Sequence, residues 1–163
     1  MRTHLLAALG LLASGTVAFA QAPAAPAPSP TMTSAADITA MIAKARAERK
    51  DQPIIAQSLL QLAPYNVSLE YRASVGNAAV HETEAELFYV VEGSATLVTG
   101  GTLTDSTRNG ANLTGKAIQG GQSRKVAKGD FVMVPEGQPH WFSAIDGTVV
   151  LMSLHLPHAP GAK

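Results

Sequence analysis

The constraint that rules out most architectures is the rhythm of the sequence after Pro53. Val, Ile, Leu and aromatic residues gather in short runs at 54–62, 67–72, 78–81, 87–91, 95–98, 131–134, 141–144 and 148–156. Gly, Asn, Asp or Pro closes these runs before they reach the length of a helix. Runs of this kind predict strands, and strands so closely spaced predict an antiparallel sandwich or barrel. The expected class is all-β.

What precedes the strands reads differently. Ser34 stands before Ala35, Ala36 and Asp37 as an N-cap with an acid in the first turn. Ile38, Met41, Ile42 and Ala45 then recur at helical spacing, so one N-terminal helix is expected over 34–52. Its charged side, with Lys44, Arg46, Glu48, Arg49 and Lys50, suits a solvated face. Residues 21–33 are dominated by Ala, Pro and Ser, which bury too little surface to offset ordering entropy, and read as an extended tether. Arg2 opens a positive segment, an apolar core follows over 5–17, and Ala18-Phe19-Ala20 supplies small residues for cleavage. Residues 1–20 are therefore expected to be a cleaved signal peptide, the product periplasmic or secreted and beginning at Gln21. The apolar core is too short for a stable membrane span. A barrel domain is expected over 53–158.

Charge and cysteine content narrow the chemistry. Lys and Arg together number 12, as do Asp and Glu, and loss of Arg2 with the leader leaves 11 bases against 12 acids. No basic patch of the kind that nucleic-acid binding requires is present, so the expected partner is a small molecule. The chain has no Cys. An exported domain of this composition relies on packing, and any metal site must come from imidazole, carboxylate and water.

Two strand-like stretches bring such groups together. The first is Val80-His81-Glu82-Thr83-Glu84-Ala85-Glu86-Leu87-Phe88-Tyr89-Val90-Val91-Glu92-Gly93. The second is Gly129-Asp130-Phe131-Val132-Met133-Val134-Pro135-Glu136-Gly137-Gln138-Pro139-His140. Because side chains alternate along a strand, Ala79 would share a face with His81, Glu86 with Phe88 and Val90, and His140 with Phe142 and Ala144. If these faces point inward, two imidazoles and a carboxylate meet among apolar walls. That is the make-up of a facial triad with positions left for water or substrate.

The spacing His81, Glu86, Gly93 resembles the first motif of the cupin superfamily, and Gly129, Pro135, Glu136, Gly137, His140 resembles the second. The resemblance implies a cupin-type antiparallel barrel, a double-stranded β-helix or jelly roll. It also implies a divalent transition metal (Fe, Mn, Zn, Ni or Cu) held by His81, Glu86 and His140, and a homodimer in which first strands exchange. The sequence departs from the family at Ala79, where a further histidine is usual, at Ala73 in place of the opening Gly, and at Ala144. A sugar or organic acid is the expected ligand. The enzymatic versions are isomerase, lyase or oxygenase chemistry, and the alternative is a metal-free, non-catalytic ligand-binding barrel.

Further residues complete the expectations. Tyr71 and Arg72 precede the first motif, where Arg could clamp a carboxylate and Tyr donate a hydrogen bond. Gln138 lies in the turn before His140, and His155 lies in phase with Leu151 and Ser153. All four are candidate substrate-binding residues. Glu82 and Glu84 read as solvated charges, with a replacement oxygen ligand as the alternative. His158 reads as exposed, Trp141 as packing outside the sheet, and Phe88, Val90, Phe131 and Met133 as core. The Thr-, Asn- and Gly-rich segment 100–121, too long for a hairpin loop, reads as a lid over the barrel mouth or a disordered surface excursion.

Overall fold

The computed structural model describes residues 31–158; the expected signal peptide and most of the tether lie outside them. Helix α1 (Ala35–Glu48) is followed by β1 (Ile54–Leu62), β2 (Tyr65–Arg72), β3 (Ala78–His81) and β4 (Glu84–Thr99). Four short strands come next: β5 (Thr102–Thr104), β6 (Thr107–Asn109), β7 (Asn112–Gly115) and β8 (Ala117–Gln119). The chain then forms β9 (Gln122–Ala127), β10 (Phe131–Val134) and β11 (His140–Pro157).

All pairings are antiparallel, and two long strands hold them together. On one side of β11, residues 149–155 pair with β2, and His140 pairs with Ala79 of β3. On the other side β11 runs almost the length of β4, and β4 in turn pairs with β9 and β10. This antiparallel jelly roll is the all-β architecture expected from the run spacing. Runs that look separate in sequence, 87–91 with 95–98 and 141–144 with 148–156, are continuous here because β4 and β11 turn their corners without leaving the ladder.

The corner in β4 falls at Gly93, whose φ is +77°. A Cβ there would collide with the carbonyl oxygen of Thr148, so glycine is required both by conformation and by the close approach of β11. Opposite it, β11 absorbs the bend with register shifts between Ile145 and Val149, preceded by one between Phe142 and Ala144 and followed by one between Val150 and Leu151.

The bulges decide which side chains face inward. Phe88, Val90, Ala95, Leu97, Val126, Val134, Phe142, Val149 and Leu151 fill the barrel. Val150 instead joins Ile42, Ala45, Leu59, Leu69 and Tyr71 in a second cluster, where α1 covers the outer face of β1 and β2. Ser34 and Asp37 close a reciprocal capping box at the start of that helix. Thr33 Oγ1 donates to Leu59 O at 2.7 Å, tying the entry of the helix to β1.

Several expectations are corrected. Ala144 is exposed, because the shift after Phe142 breaks the alternation that would have carried it inward. Phe131 and Met133 are 69% and 52% exposed: on the four-residue β10, Val134 takes the inner face and the alternate positions point outward. The 100–121 segment is neither a loop nor disordered. Its short strands of three or four residues pair, β5 with β8 and β6 with β7, and β7 extends the main sheet beside β3. The β6–β7 reversal turns at Gly110, and Asp105 links β5 to β6; both residues have positive φ.

Candidate metal centre

Alternation along β4 places Glu84, Glu86 and Phe88 on one face, and pairing brings His155 of β11 directly opposite Glu86. His81 ends β3, and His140 opens β11 opposite Ala79. Backbone hydrogen bonds hold these ends: Gly137 N donates to His81 O at 2.7 Å and Gly100 N to Pro139 O at 2.8 Å. The two sequence motifs are thus joined where their histidines emerge.

Glu86 is the centre of the cluster and is 4% exposed. Its Oε2 lies 3.0 Å from His140 Nε2 and 3.3 Å from His81 Nε2. Its Oε1 accepts the Ser153 hydroxyl and lies 3.5 Å from His155 Nε2. The donor atoms of His81, Glu86 and His140 fall within 4.8 Å of one another, as do those of His81, Glu84 and His155. Burial acts to raise the Glu86 carboxyl. Hydrogen bonds from His140 and His81, the charge of His140 and the Ser153 hydroxyl outweigh it and hold the group well below the usual carboxylate range. His81 moves the other way: its bond to Glu86 raises it above the ordinary imidazole value against a desolvation cost, with Asn112 and the charges of Glu86 and Glu84 adding to the rise.

The far nitrogens of the three rings are engaged as well. His140 Nδ1 faces Gln138 O at 3.3 Å, His155 Nδ1 faces Glu84 Oε1 at 2.7 Å, and His81 Nδ1 faces Asn112 Oδ1 at 2.9 Å. A backbone carbonyl and a carboxylate only accept, so those Nδ1 atoms carry hydrogen. In a neutral imidazole the Nε2 lone pair then points at the Glu86 carboxylate. Lone pair against carboxylate is repulsive unless a proton or a metal cation stands between them. Metal-ligating histidines are held by outer acceptors in this same way.

The other expected site residues sort differently. Tyr71 is 3% exposed in the cluster beneath α1, on the opposite face of β2 from the barrel interior. Arg72 faces inward, but Glu70 neutralises it at 2.6 Å and its guanidinium lies 4.7 Å above the Phe142 ring. From Phe142 the rings continue to Phe88 and then His140, with centroids 5.3 and 5.9 Å apart. Gln138 meets His140 through its carbonyl rather than its amide. Glu82 is on the outer face, bound by Arg108 at 2.6 and 2.8 Å. Glu84 is not a solvated charge, since it turns into the cluster against His155. Asn112, which faces His81 Nδ1, lies in the segment whose Thr, Asn and Gly content predicts a lid or a disordered excursion rather than a strand. Trp141 alternates away from His140, and its indole donates to Gly76 O at 2.9 Å.

The barrel and its buried histidine–carboxylate cluster define a class, and sequence comparison gives it a family. A family model described as Cupin matches residues 47–161, and the chain belongs to the cupins. No curated protein matches it. Among solved structures it is similar to a putative mannose-6-phosphate isomerase from Ralstonia eutropha JMP134, with 18% identity over 66% of this chain and 87% of that one and a TM-score of 0.47. A cupin superfamily protein from Desulfitobacterium hafniense DCB-2 is 17% identical over 66% and 81%, with a TM-score of 0.46. KdgF from Halomonas sp. is 16% identical over 68% and 85%, with a TM-score of 0.49.

Proposed function

We propose that this protein is an exported cupin that holds one divalent transition metal through His81, Glu86 and His140 and binds or acts on a small polar molecule, a sugar or an organic acid. One observation carries the reading: a buried imidazole, His140, and a half-buried one, His81, aim Nε2 at a single oxygen of the buried Glu86 carboxylate while their Nδ1 atoms are held from behind. When bound by these residues, such a metal would supply Lewis-acid polarisation of a substrate oxygen or activation of water or dioxygen. Fe, Mn, Zn, Ni and Cu all suit two imidazoles and a carboxylate. The interior wall would supply ligand contacts, with Arg72, stacked over Phe142 and paired with Glu70, as a cation for an acidic group.

Export is supported by the leader-like residues 1–20, and none of the described helices is long and apolar enough to cross a membrane. A homodimer is supported by the outer face of β10, β4 and β11. There Phe131 aligns with Tyr89 and Met152, and Met133 with Leu87 and Leu154, as two apolar rows across three strands.

A native mass spectrum of protein recovered from the exported fraction tests all three statements. The expected species is a dimer of chains beginning at Gln21 with one transition-metal ion per chain. Protein that stays metal-free after incubation with each of the five ions would sink the metal reading and leave the non-catalytic ligand-binding alternative. A monomer, or a chain still carrying residues 1–20, would sink the dimer or the export statement separately.

A further inference from the structure

A second set of donors lies on the other side of His81. Glu84 Oε1 stands 2.7 Å from His155 Nδ1 and 3.8 Å from His81 Nδ1. One carboxylate oxygen is thus flanked by two imidazole nitrogens, just as Glu86 Oε2 is flanked by His140 Nε2 and His81 Nε2. Ligand atoms of His81, Glu84 and His155 come within 4.8 Å of one another, the same limit that His81, Glu86 and His140 meet. The chain builds this set from the ends of its strands: β3 stops at His81, β4 begins at Glu84, and the pairing of β11 with β4 sets His155 opposite Glu86, one alternate position from Glu84. The His81 ring stands between, its centroid 5.3 Å from that of His140 and 4.8 Å from that of His155. Glu84 and His155 leave 26% and 23% of their side-chain surface exposed, against 5% and 7% for Glu86 and His140, so the second set is the outer one.

We propose that His81, Glu84 and His155 form a second, outer position for a divalent transition metal, and that an ion there excludes one at Glu86 and His140 because both positions draw on the single lone pair of His81. A neutral imidazole has one nitrogen free to bind and one carrying hydrogen. With hydrogen on Nδ1, where Asn112 Oδ1 accepts it at 2.9 Å, His81 offers Nε2 to the inner position. With hydrogen on Nε2, where Glu86 Oε2 lies 3.3 Å away, it offers Nδ1 to the outer one. His155 has the same choice. Its hydrogen rests on Nδ1 against Glu84, and when an ion takes Nδ1 that hydrogen passes to Nε2, which faces Glu86 Oε1 at 3.5 Å. The shift also removes the opposition between the Nε2 lone pair and that oxygen. Both outer rings then have the Glu86 carboxylate behind them, the usual support of a ligating histidine. Filling both positions at once would require His81 to give up its last ring hydrogen, so one ion per chain is the expected content. The exclusion rests on the metal-binding reading above; the outer position does not.

The test uses Zn2+ alone, since that ion imposes no geometric preference of its own. Affinity and stoichiometry are read by competition with a chromophoric chelator, on full-length metal-stripped protein whose fold is checked by circular dichroism. Wild type is expected to take up one ion per chain. His140→Ala should still take up one ion, bound about 100-fold or more weakly because it is confined to the outer position. Adding His155→Ala or Glu84→Gln to His140→Ala should weaken what remains by a further factor of about ten or more. If His140→Ala unfolds, His140→Gln takes its place in each comparison. A folded His140 variant that binds no Zn2+, or double variants that bind as tightly as the single one, would overturn the outer position while leaving the inner one standing. Two ions per wild-type chain would overturn the exclusion. Affinity unchanged by loss of His140 but abolished by loss of His155 would support the outer position and overturn the inner one. A wild-type protein that takes up no Zn2+ or other transition metal would overturn both.

Discussion

Glu86→Gln is expected to reduce transition-metal affinity by at least about 100-fold, more than the loss of a supporting partner produces. The substitution keeps the side-chain volume and leaves an oxygen for the Ser153 hydroxyl, so the barrel should still form. It removes the one negative charge toward which His81, His140 and His155 all point Nε2. A cation held by residues 81, 86 and 140 would then meet neutral donors only, with the carboxylate's compensation for its lost hydration gone. Isothermal titration of metal-stripped wild type and variant measures the difference directly. Equal affinities would show that any bound ion sits away from Glu86, and the proposed centre would have to be abandoned.

Gly93→Ala is expected to destabilise the protein by about 3–5 kcal/mol. A left-handed backbone at a residue with a Cβ costs about 1–3 kcal/mol, and forcing two packed strands apart adds a comparable amount. The methyl group would press on Thr148 O, a backbone atom of the facing strand with no rotamer through which to escape. Domains of this size have roughly 5–15 kcal/mol of stability in total, so the variant should unfold at markedly lower denaturant and express poorly. Gly129→Ala is a useful control: its φ of +94° is also positive, but nothing lies within 4 Å of the added carbon. Urea unfolding of both variants separates strain from collision. A Gly93→Ala loss no larger than that of Gly129→Ala would mean that the close approach of β4 and β11 is not what fixes the corner.

The difference between those two glycines also shows what the sequence can and cannot express. The family, the barrel and the meeting of His81, Glu86 and His140 followed from strand rhythm and two spaced motifs, which are local patterns. Glu84 was within reach of the same reasoning, since it lies two residues before Glu86 and alternation puts both on one face. His155 was placed correctly in phase with Leu151 and Ser153, but its approach to Glu86 depends on bulges that no composition rule marks. Ala144 was misplaced for the same reason, and Phe131 and Met133 because apolar identity alone does not say which face of a short edge strand is covered. Asn112 belongs to a segment whose Thr and Asn content suggests a loop, and only pairing with β3 makes it a strand.

Trp141 is the only tryptophan in the sequence, one residue from His140 and anchored by its indole to Gly76 O. Excitation at the red edge of protein absorbance therefore reports from a single, fixed point beside the cluster. Open-shell ions such as Cu(II) would quench that emission at close range, whereas closed-shell Zn(II) would leave it bright, so unlabelled protein can distinguish the two by fluorescence alone.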